Sequence, residues 1–385
     1  MEYSNDFHIQ YQGKKSLQEI LQGVSFKKPS VAGEYNNRLF QQGSFLNKLF
    51  WGENLEALKY LLEVENLKGK IKLIYIDPPF STKQSFKNSD DDHAYDDLLS
   101  GAEYLEFIRE RLLLLKELLS REGSIYVHLD GKMAFPIKLL MDEIFGQKNF
   151  RNWITRKKSS YKNSTSKKYG NIQDFILFYS VSDKYTWNKP YQKNGTTYSF
   201  EERFPKIEAE TGRRYALVPI HAQGIRNGET GTEWKGSLPP KGKHWQLKPS
   251  KLDDLERRGE IHWSKTGNPR RKIYADQDKG VIAQDIWVDF PDAINQNTVI
   301  TGYPTEKNPD LLKRIISTSS NQGDIVLDCF CGSGTTVSVA DQLGRSWIGI
   351  DSGKVAIDTT TKRLSGKIKR DPHYEEPSSF SVYKF

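Results

Sequence analysis

Two short segments of the chain, each preceded by an apolar run, contain the residues best suited to chemistry. The first is Asp77-Pro78-Pro79-Phe80, which follows Ile71–Ile76. Asp77 offers a carboxylate, Pro78 offers a carbonyl that the diproline holds rigid, and Phe80 offers an aromatic face. Two adjacent acceptors can take the hydrogens of an amino group and make its nitrogen more nucleophilic, while an aromatic ring stacks on a flat base. Taken alone, the tetrapeptide is equally compatible with a rigid turn capped by an aspartate.

The second segment is a glycine-containing loop, Asp328–Thr336, that follows a second apolar run. Gly332 and Gly334 allow close approach of a ligand to the backbone, and the helix that follows adds N–H donors. An acid, Asp351, ends the next predicted strand about 20 residues later, which is the position of a ribose-binding carboxylate. The loop lacks both a GK[ST] ending and a third glycine, so a nucleoside without phosphates fits it best. An ordinary turn from strand to helix is the alternative.

Composition narrows the class of protein without identifying it. The 385 residues contain 57 Lys and Arg against 49 Asp and Glu, giving a net charge of +8 and a pI of about 9.1. A basic balance favours a polyanionic partner, and 12% aromatic residues with 8 Trp suit surfaces that stack on bases. We nevertheless expect most of the tryptophans to pack in the interior.

The two cysteines and the apolar segments predict the surroundings of the protein. Cys329 and Cys331 lie too close together for an ordinary structural disulfide, which predicts a reducing compartment. No further cysteine completes a tetrahedral metal site, so no metal is predicted. The first residues do not have the pattern of a signal peptide, and no stretch has the apolar length of a membrane span. We therefore expect a cytoplasmic protein that does not bind membranes.

Strand and helix patterns alternate on both sides of a long middle segment. The alternation predicts an α/β fold, a mostly parallel sheet with helices on both faces. It stops after residue 150, where the chain becomes rich in Gly, Pro, Trp and basic residues. The predicted division of the chain is an N-terminal extension (1–45), one α/β domain (46–150 with 300–370), an inserted region (151–299) and a tail (371–385).

Several motifs together resemble the β class of DNA amino-methyltransferases, especially the site-specific adenine methyltransferases of bacterial restriction–modification systems, including type III modification subunits. In that class the catalytic motif precedes the cofactor motif, as Asp77–Phe80 precedes Asp328–Thr336 here. Gly52-Glu53-Asn54 resembles the family's Gly-Asp-Asn turn, Tyr303–Pro309 its Tyr-Pro-Thr-Gln-Lys-Pro motif, and Ser124–Asp130 its strand after the catalytic helix. This chain departs from the family at five positions in these motifs. They are Glu53, Glu306 and Asn308, together with Cys329 and Cys331, which stand where the family usually has Pro and Ala.

The resemblance implies a Rossmann-like methyltransferase fold that uses S-adenosylmethionine. It assigns catalysis to Asp77, Pro78, Pro79 and Phe80. It also implies that the target base is flipped out of the duplex, since the amino group is inaccessible inside it. The residues that it assigns to cofactor binding are Glu53, Asp77, Thr305, Lys307, Asp328, Phe330, Gly332, Gly334, Thr335 and Asp351.

In this family the inserted region is the target recognition domain, and basic residues there are candidate phosphate contacts. The candidates are Lys157, Lys158, Lys162, Lys167, Lys168, Arg270 and Arg271. A solvated flexible loop is the alternative for the five lysines. His128 suggests a general base, but its place inside an alternating strand predicts a buried, hydrogen-bonded histidine instead.

Within the family, an aspartate at the first catalytic position favours methylation of adenine N6 in double-stranded DNA. Cytosine N4 is the first alternative. A non-catalytic DNA-binding subunit is a second alternative, and a methyltransferase acting on RNA or on a protein amide is a third. A second copy of the chain and a restriction or specificity subunit are open as further partners.

Overall fold

The structure, a computed structural model, describes residues 8–36, 47–79, 84–87, 93–97, 101–159, 167, 169–192, 199–292, 301–368 and 377–385. Three residues predicted from the sequence to belong to functional sites lie outside these ranges. They are the catalytic candidate Phe80 and the DNA-contact candidates Lys162 and Lys168.

The described helices and strands alternate as predicted in the first and last thirds of the chain. The helices are α1 (Leu17–Gly23), α2 (Asn54–Glu63), α3 (Gly101–Leu118), α4 (Ala134–Phe145), α5 (Phe200–Arg203), α6 (Pro249–Arg257), α7 (Pro309–Ser319), α8 (Thr335–Gln342) and α9 (Lys354–Leu364). The strands are β1 (Ser30–Tyr35), β2 (Asn47–Trp51), β3 (Ile71–Ile76), β4 (Gln84–Lys87), β5 (His93–Asp97), β6 (Leu119–Leu129), β7 (Phe150–Lys157), β8 (Gln173–Ser180), β9 (Tyr191–Gln192), β10 (Lys206–Ile207), β11 (Arg214–Pro219), β12 (His221–Gln223), β13 (Lys243–Trp245), β14 (Ile261–Trp263), β15 (Pro269–Tyr274), β16 (Val281–Ile282), β17 (Ile286–Trp287), β18 (Ile325–Asp328), β19 (Ser346–Asp351) and β20 (Phe380–Lys384).

The chain divides into two compact units. Residues 1–190 and 283–385 form the first, here called the sheet unit, and residues 191–282 form the second, here called the inserted unit. The inserted unit is shorter than the predicted insertion 151–299, because β7, β8 and β17 pair into the large sheet rather than with the inserted strands. Apolar residues in β8 are buried in that sheet, which explains why the segment has the strongest strand pattern of the middle region.

The sheet unit is built on one mixed sheet. Ten of the described strands form it in the order β1-β20-β2-β19-β18-β3-β6-β8-β7-β17. From β20 to β6 every neighbouring pair is parallel, whereas β1 and the pairs that β8 makes are antiparallel. The predicted α/β class with a mostly parallel sheet is confirmed.

Alternate residues of β3 show how helices cover both faces of this sheet. Ile74 and Ile76 are fully buried against the side chains of α2, α3 and α4. Leu73 and Tyr75 point the other way and pack with apolar residues of α7 and α8. A central strand that is buried on both faces has to be apolar at nearly every position, which is the pattern by which the sequence revealed it.

β1 and β20, which fall in the predicted extension and tail, are both part of the sheet. β20 lies between β1 and β2, and Phe380 is fully buried, with its ring stacked 4.5 Å from that of Tyr35. These pairings join residues more than 300 positions apart, as in Tyr35 with Phe380, so no local pattern predicts them.

The inserted unit has a small core of its own. β10, β11, β15 and β14 form a four-stranded antiparallel sheet. Trp234 and Trp245 are buried together with apolar residues of α6, and Trp263 packs against them. Three of the tryptophans therefore have the packing role that the sequence predicts. In the described part of the whole chain, no helix is both long enough and apolar enough to cross a membrane.

Candidate active site

Three carboxylates meet where parallel strands of the sheet unit end. Asp328 is the last residue of β18, Asp351 is the last residue of β19, and Asp77 directly follows β3. β18 pairs in parallel with both other strands, so their carboxyl ends lie at the same edge. Ligands of open α/β sheets bind in the crevice outside this edge. The two segments singled out by sequence therefore lie side by side.

The two carboxylate oxygens of Asp77 have different surroundings. Oδ2 lies 2.7 Å from Nζ of Lys307, in an ion pair whose side chains are both mostly buried. Oδ1 is buried and has no hydrogen-bond partner among the described residues. The nearest ring nitrogen, Nδ1 of His128, is 3.9 Å away, too far for a hydrogen bond. One oxygen is thus held by a cation, and the other is an available acceptor.

The loop that contains Asp77 is held by α3. The hydroxyl of Tyr104, a buried residue of α3, donates to the backbone carbonyl of Pro79 at 2.6 Å. Neither Pro78 nor Pro79 has an N–H, and ring closure fixes their φ angles, so few contacts are needed to fix the loop. Tyr104 has no recognisable signal in the sequence, since it lies in an ordinary amphipathic helix.

Asp351 shapes the glycine loop. Its Oδ2 accepts the N–H of Gly332 at 2.9 Å, and its Oδ1 accepts the N–H of Gly353 at 2.8 Å. Gly332 and Gly334 both have positive φ angles, of 49° and 76°. Each carboxylate oxygen keeps a second lone pair, so Asp351 can fix the loop and still accept a hydroxyl from a ligand.

Burial dominates the electrostatics of the glycine loop. It raises the pKa of Asp328 to about 7, helped by the charges of Asp77 and Asp351 and opposed by hydrogen bonds from Thr336 and from the N–H of Phe330. Burial likewise raises the pKa of the Cys329 and Cys331 thiols well above the ordinary value. Both thiols therefore stay protonated and are poor nucleophiles.

The start of α2 is joined to the glycine loop through Asn54 and Arg111. Glu53 caps α2 with an exposed side chain whose Oε2 is 3.6 Å from a guanidinium nitrogen of Arg111. Nε of Arg111 donates to Oδ1 of Asn54 at 2.5 Å, and the Asn54 amide donates to the Cys329 carbonyl at 2.9 Å. Asn54 thereby joins the start of α2 to the glycine loop. Arg111, buried in α3, was not predicted.

The 303–309 segment brings Lys307 to Asp77. Thr305 has a left-handed φ of 58°, and the Glu306 carboxylate that follows is buried in an ion pair with Arg363 at 3.1 Å. Arg363 also donates to the Thr335 hydroxyl at 3.0 Å, so one guanidinium joins the segment to the start of α8. Sequence resemblance predicted Lys307 as a cofactor contact, but did not predict its ion pair with Asp77.

A buried polar network lies beside Asp77. His128 is fully buried on β6, with Nδ1 2.7 Å from the Tyr75 hydroxyl and Nε2 3.0 Å from Oδ2 of Asp174. Arg156 donates to the same Asp174 oxygen at 3.0 Å and also binds Asp292. The prediction of a buried, hydrogen-bonded His128 is confirmed. Its partners come from other strands, so sequence spacing does not reveal them.

The candidate DNA contacts that the structure describes lie apart from one another along the chain. Lys157 ends β7 and is partly exposed, as is Lys158, and Lys167 is exposed. Arg270 and Arg271 lie on β15 of the inserted unit, where Arg270 is exposed and Arg271 is 3.6 Å from Glu260. Among the described side chains, no cluster of His, Cys, Asp or Glu could hold a metal ion.

Gly334→Ala is expected to destabilise the protein through a clash with Thr360. An ideal Cβ at this position would lie 2.7 Å from the Thr360 side chain, which is itself held by a hydrogen bond to the Gly332 carbonyl. Gly323→Ala is a matched control, because Gly323 has a similar φ of 82° but open space around it. Urea unfolding should show that Gly334→Ala lowers the free energy of unfolding by about 1–3 kcal/mol more than Gly323→Ala does. Equal losses would contradict the clash.

The raised pKa of Asp328 predicts the pH dependence of stability. Between the ordinary value of 3.8 and about 7, the folded state keeps a proton that the unfolded state has released. The free energy of unfolding should therefore fall as pH rises through this window. Asp328→Asn removes the titrating group, so its unfolding free energy should fall less over the same range. Urea unfolding at several pH values measures both slopes, and identical slopes would refute the prediction.

Comparison with known proteins identifies one family. Residues 71–362 match the family model of N6/N4 methyltransferases, described as DNA methylase. The type II methyltransferase M.EcaI of Enterobacter cloacae is 47% identical over 359 residues, covering 93% of this chain and 77% of that protein.

More distant relatives include the StyLTI type III restriction–modification Mod subunit of Salmonella typhimurium strain LT2. It is 25% identical over 369 residues, covering 86% of this chain and 54% of the subunit. A crystal structure of the M1.HpyAVI–SAM complex aligns with 82% of this chain and 98% of its own at 19% identity and a TM-score of 0.45. The chain belongs to the N6/N4 DNA methylase family, as its motifs predict.

Proposed function

We propose that this enzyme, a DNA methyltransferase by family, transfers a methyl group from S-adenosylmethionine to the N6 amino group of adenine at a specific site in double-stranded DNA. The observation that carries the proposal is the Asp77 carboxylate, which has one oxygen paired with Lys307 and the other without a hydrogen-bond partner among the described residues. It lies beside a glycine loop flanked by two further carboxylates, the buried Asp328 and the partly buried Asp351.

The residues around the glycine loop fit S-adenosylmethionine, whose sulfonium supplies an activated methyl group. Asp328 is costly to ionise in its buried position, and a cationic ligand would offset that cost. The loop offers no lysine of the kind that phosphate loops carry, while Asp351 retains lone pairs for ribose hydroxyls. Glu53 and Phe330 would contact the adenine ring, as the family resemblance implies. Thr305, Gly332, Gly334 and Thr335 would contact the remainder of the ligand.

Asp77 would act on the target base through hydrogen bonding. Its open Oδ1 accepts a hydrogen of the amino group, and the rigid carbonyl of Pro78 accepts the other. Lys307 balances the negative charge on Oδ2 without occupying Oδ1. Both acceptors draw hydrogens out of the plane of the base and localise the nitrogen lone pair. Phe80, predicted to stack on the base, completes the motif.

Direct transfer to nitrogen agrees with the state of the two thiols. An enzyme that methylates cytosine C5 needs a thiolate nucleophile, and burial keeps Cys329 and Cys331 protonated. Adenine is favoured over cytosine because Asp stands at the first catalytic position. That preference follows the resemblance to adenine-specific enzymes, and methylation of cytosine N4 is the alternative.

The inserted unit would contribute to site recognition, together with the predicted phosphate contacts on β7 and β15. The enzyme would work in the cytoplasm as the modification part of a restriction–modification system. A restriction or specificity subunit, or a second copy of the chain, would be its partner there.

The methylated nucleoside tests the proposed function directly. The full chain is incubated with S-adenosylmethionine labelled in the methyl group and with unmethylated bacterial DNA, and the digested nucleosides are identified by mass. Labelled N6-methyladenine is expected. DNA first saturated with unlabelled cofactor and enzyme is the control and should take up no label. Labelled N4-methylcytosine would overturn the choice of base, and label in neither would overturn the proposed activity.

Arg270→Ala is expected to weaken DNA binding by about tenfold, because its exposed guanidinium is available to a phosphate. The slope of log K against log salt should fall by about 1. Arg213→Ala in the same unit is the matched control, since Arg213 is held by Asp276 through two contacts of 3.0 and 2.8 Å. Fluorescence anisotropy over a range of salt concentrations measures both. Equal effects of the two variants would contradict a phosphate contact at Arg270.

A further inference from the structure

Methyl transfer to an amino nitrogen leaves a proton to be removed. As the new N–C bond forms and the S–C bond breaks, the sulfur keeps the electron pair and the nitrogen becomes positively charged. One N–H bond must then break, with its electrons returning to nitrogen. The open Oδ1 of Asp77 is the nearest acceptor that the proposed function offers for this proton.

Protonation turns Oδ1 of Asp77 into an O–H donor and makes the carboxyl group a weaker acceptor, so the site needs a place for the proton to go. His128 lies directly behind Asp77 and is fully buried. Its Nδ1 is 3.9 Å from Oδ1 of Asp77, so an approach of about 1 Å would form a hydrogen bond. Catalytic hydrogen bonds are often long in the absence of substrate and shorten when it binds.

The hydrogen bonds of His128 determine which ring nitrogen is unprotonated and can accept a proton. The Asp174 carboxylate can only accept, and it lies 3.0 Å from Nε2, so Nε2 carries the hydrogen. Nδ1 then accepts the hydroxyl hydrogen of Tyr75 at 2.7 Å. Burial raises the pKa of Tyr75 well above the ordinary value, so its hydroxyl keeps that hydrogen. A proton arriving at Nδ1 requires only that the hydroxyl rotate and accept in turn.

Carboxylates outnumber cations among the charged side chains around His128. Among the described residues joined by these contacts, Lys307 and Arg156 are cationic, while Asp77, Asp174 and Asp292 are anionic. Two cations therefore meet three carboxylates, and one further positive charge would balance them. The nearest cation, a guanidinium nitrogen of Arg156, is 3.5 Å from Nε2 and binds the same Asp174 oxygen that His128 does.

We propose that His128 takes the amino proton from Asp77 during methyl transfer. The O–H bond on Oδ1 of Asp77 breaks, and an N–H bond forms on Nδ1 of His128, leaving Asp77 ionised. Asp174 and Arg156 hold the imidazole in position and balance its charge. The proton returns to solvent through Asp77 once the product base has left. His128 does not touch the base, so it is a positioning residue that acts through Asp77. The inference rests on the proposed function.

His128→Gln separates proton uptake from structure. The glutamine amide can donate to Asp174 and accept from Tyr75, but it cannot take up a proton. The full-length variant should bind S-adenosylmethionine and DNA as the wild type does. Its rate of methyl transfer in a single turnover, at saturating cofactor, should fall by about a hundredfold. His244→Gln is the matched control, since His244 is also buried and hydrogen-bonded, in the inserted unit. It should keep the wild-type rate.

If His128 had a purely structural role, its replacement would leave the pH dependence of the single-turnover rate unchanged. This pH dependence therefore tests the proposed proton transfer. The wild-type rate should fall as the medium becomes acidic, because a protonated imidazole cannot accept another proton. Because the cofactor is saturating, the ionisation of Asp328 does not contribute to the pH dependence of this rate. The acid-side fall should be absent in His128→Gln. In Asp174→Asn it should move to lower pH, because the imidazolium loses a neighbouring carboxylate.

Three results would overturn the proposal. They are a wild-type rate in His128→Gln, a slower rate with an unchanged pH profile, and loss of DNA or cofactor binding in that variant. If His128→Gln does not fold, an unshifted profile in Asp174→Asn serves as the refutation. Failure of the proposed function is distinct, because the wild type itself would then transfer no methyl group to DNA.

Discussion

The site depends on keeping one carboxylate oxygen open and ionised where most of its surroundings are buried. An unpaired charge in such a place is costly unless a counter-charge lies nearby. The ion pair between Lys307 and Asp77 meets this requirement on Oδ2 and leaves Oδ1 available. Lys307 reaches Asp77 because Glu306, its neighbour in the chain, is buried against Arg363.

The same constraint explains why the surrounding strands are so rich in polar contacts. β3, β6, β7 and β8 are adjacent in the sheet, and each contributes a member of the network behind Asp77. Buried polar groups of this kind stabilise a fold only when each finds its partners. Asp174 is paired through Oδ2, whereas its buried Oδ1 has no hydrogen-bond partner among the described residues. Burial alone would raise its pKa, but His128 and Arg156 together bring the pKa well below its ordinary value.

Local patterns in the sequence predict the strands and helices that carry the two loops. β3 is a short apolar run followed directly by Asp77, and β18 is a short apolar run that ends at Asp328. Patterns of this kind depend on neighbouring residues only, so they can be recognised without knowledge of the fold.

The missed features are those that depend on distant pairing. β20 pairs with β2 although the two strands lie near opposite ends of the sequence. The contact between Lys307 and Asp77 joins residues 230 positions apart. The inserted unit begins later than predicted, because β7 and β8 complete the large sheet before the chain leaves it. Neither the charge nor the composition of residues 151–190 distinguishes a sheet strand from a recognition segment.

Asp77→Asn tests the central claim most directly, because it keeps the shape of the side chain and removes its charge. Binding of S-adenosylmethionine and of DNA is measured first, followed by methyl transfer in a single turnover. An open, ionised acceptor at Asp77 predicts that binding changes little while transfer falls by at least about a thousandfold. Transfer at a rate near that of the wild type would contradict the account, since another group would then be activating the amino nitrogen.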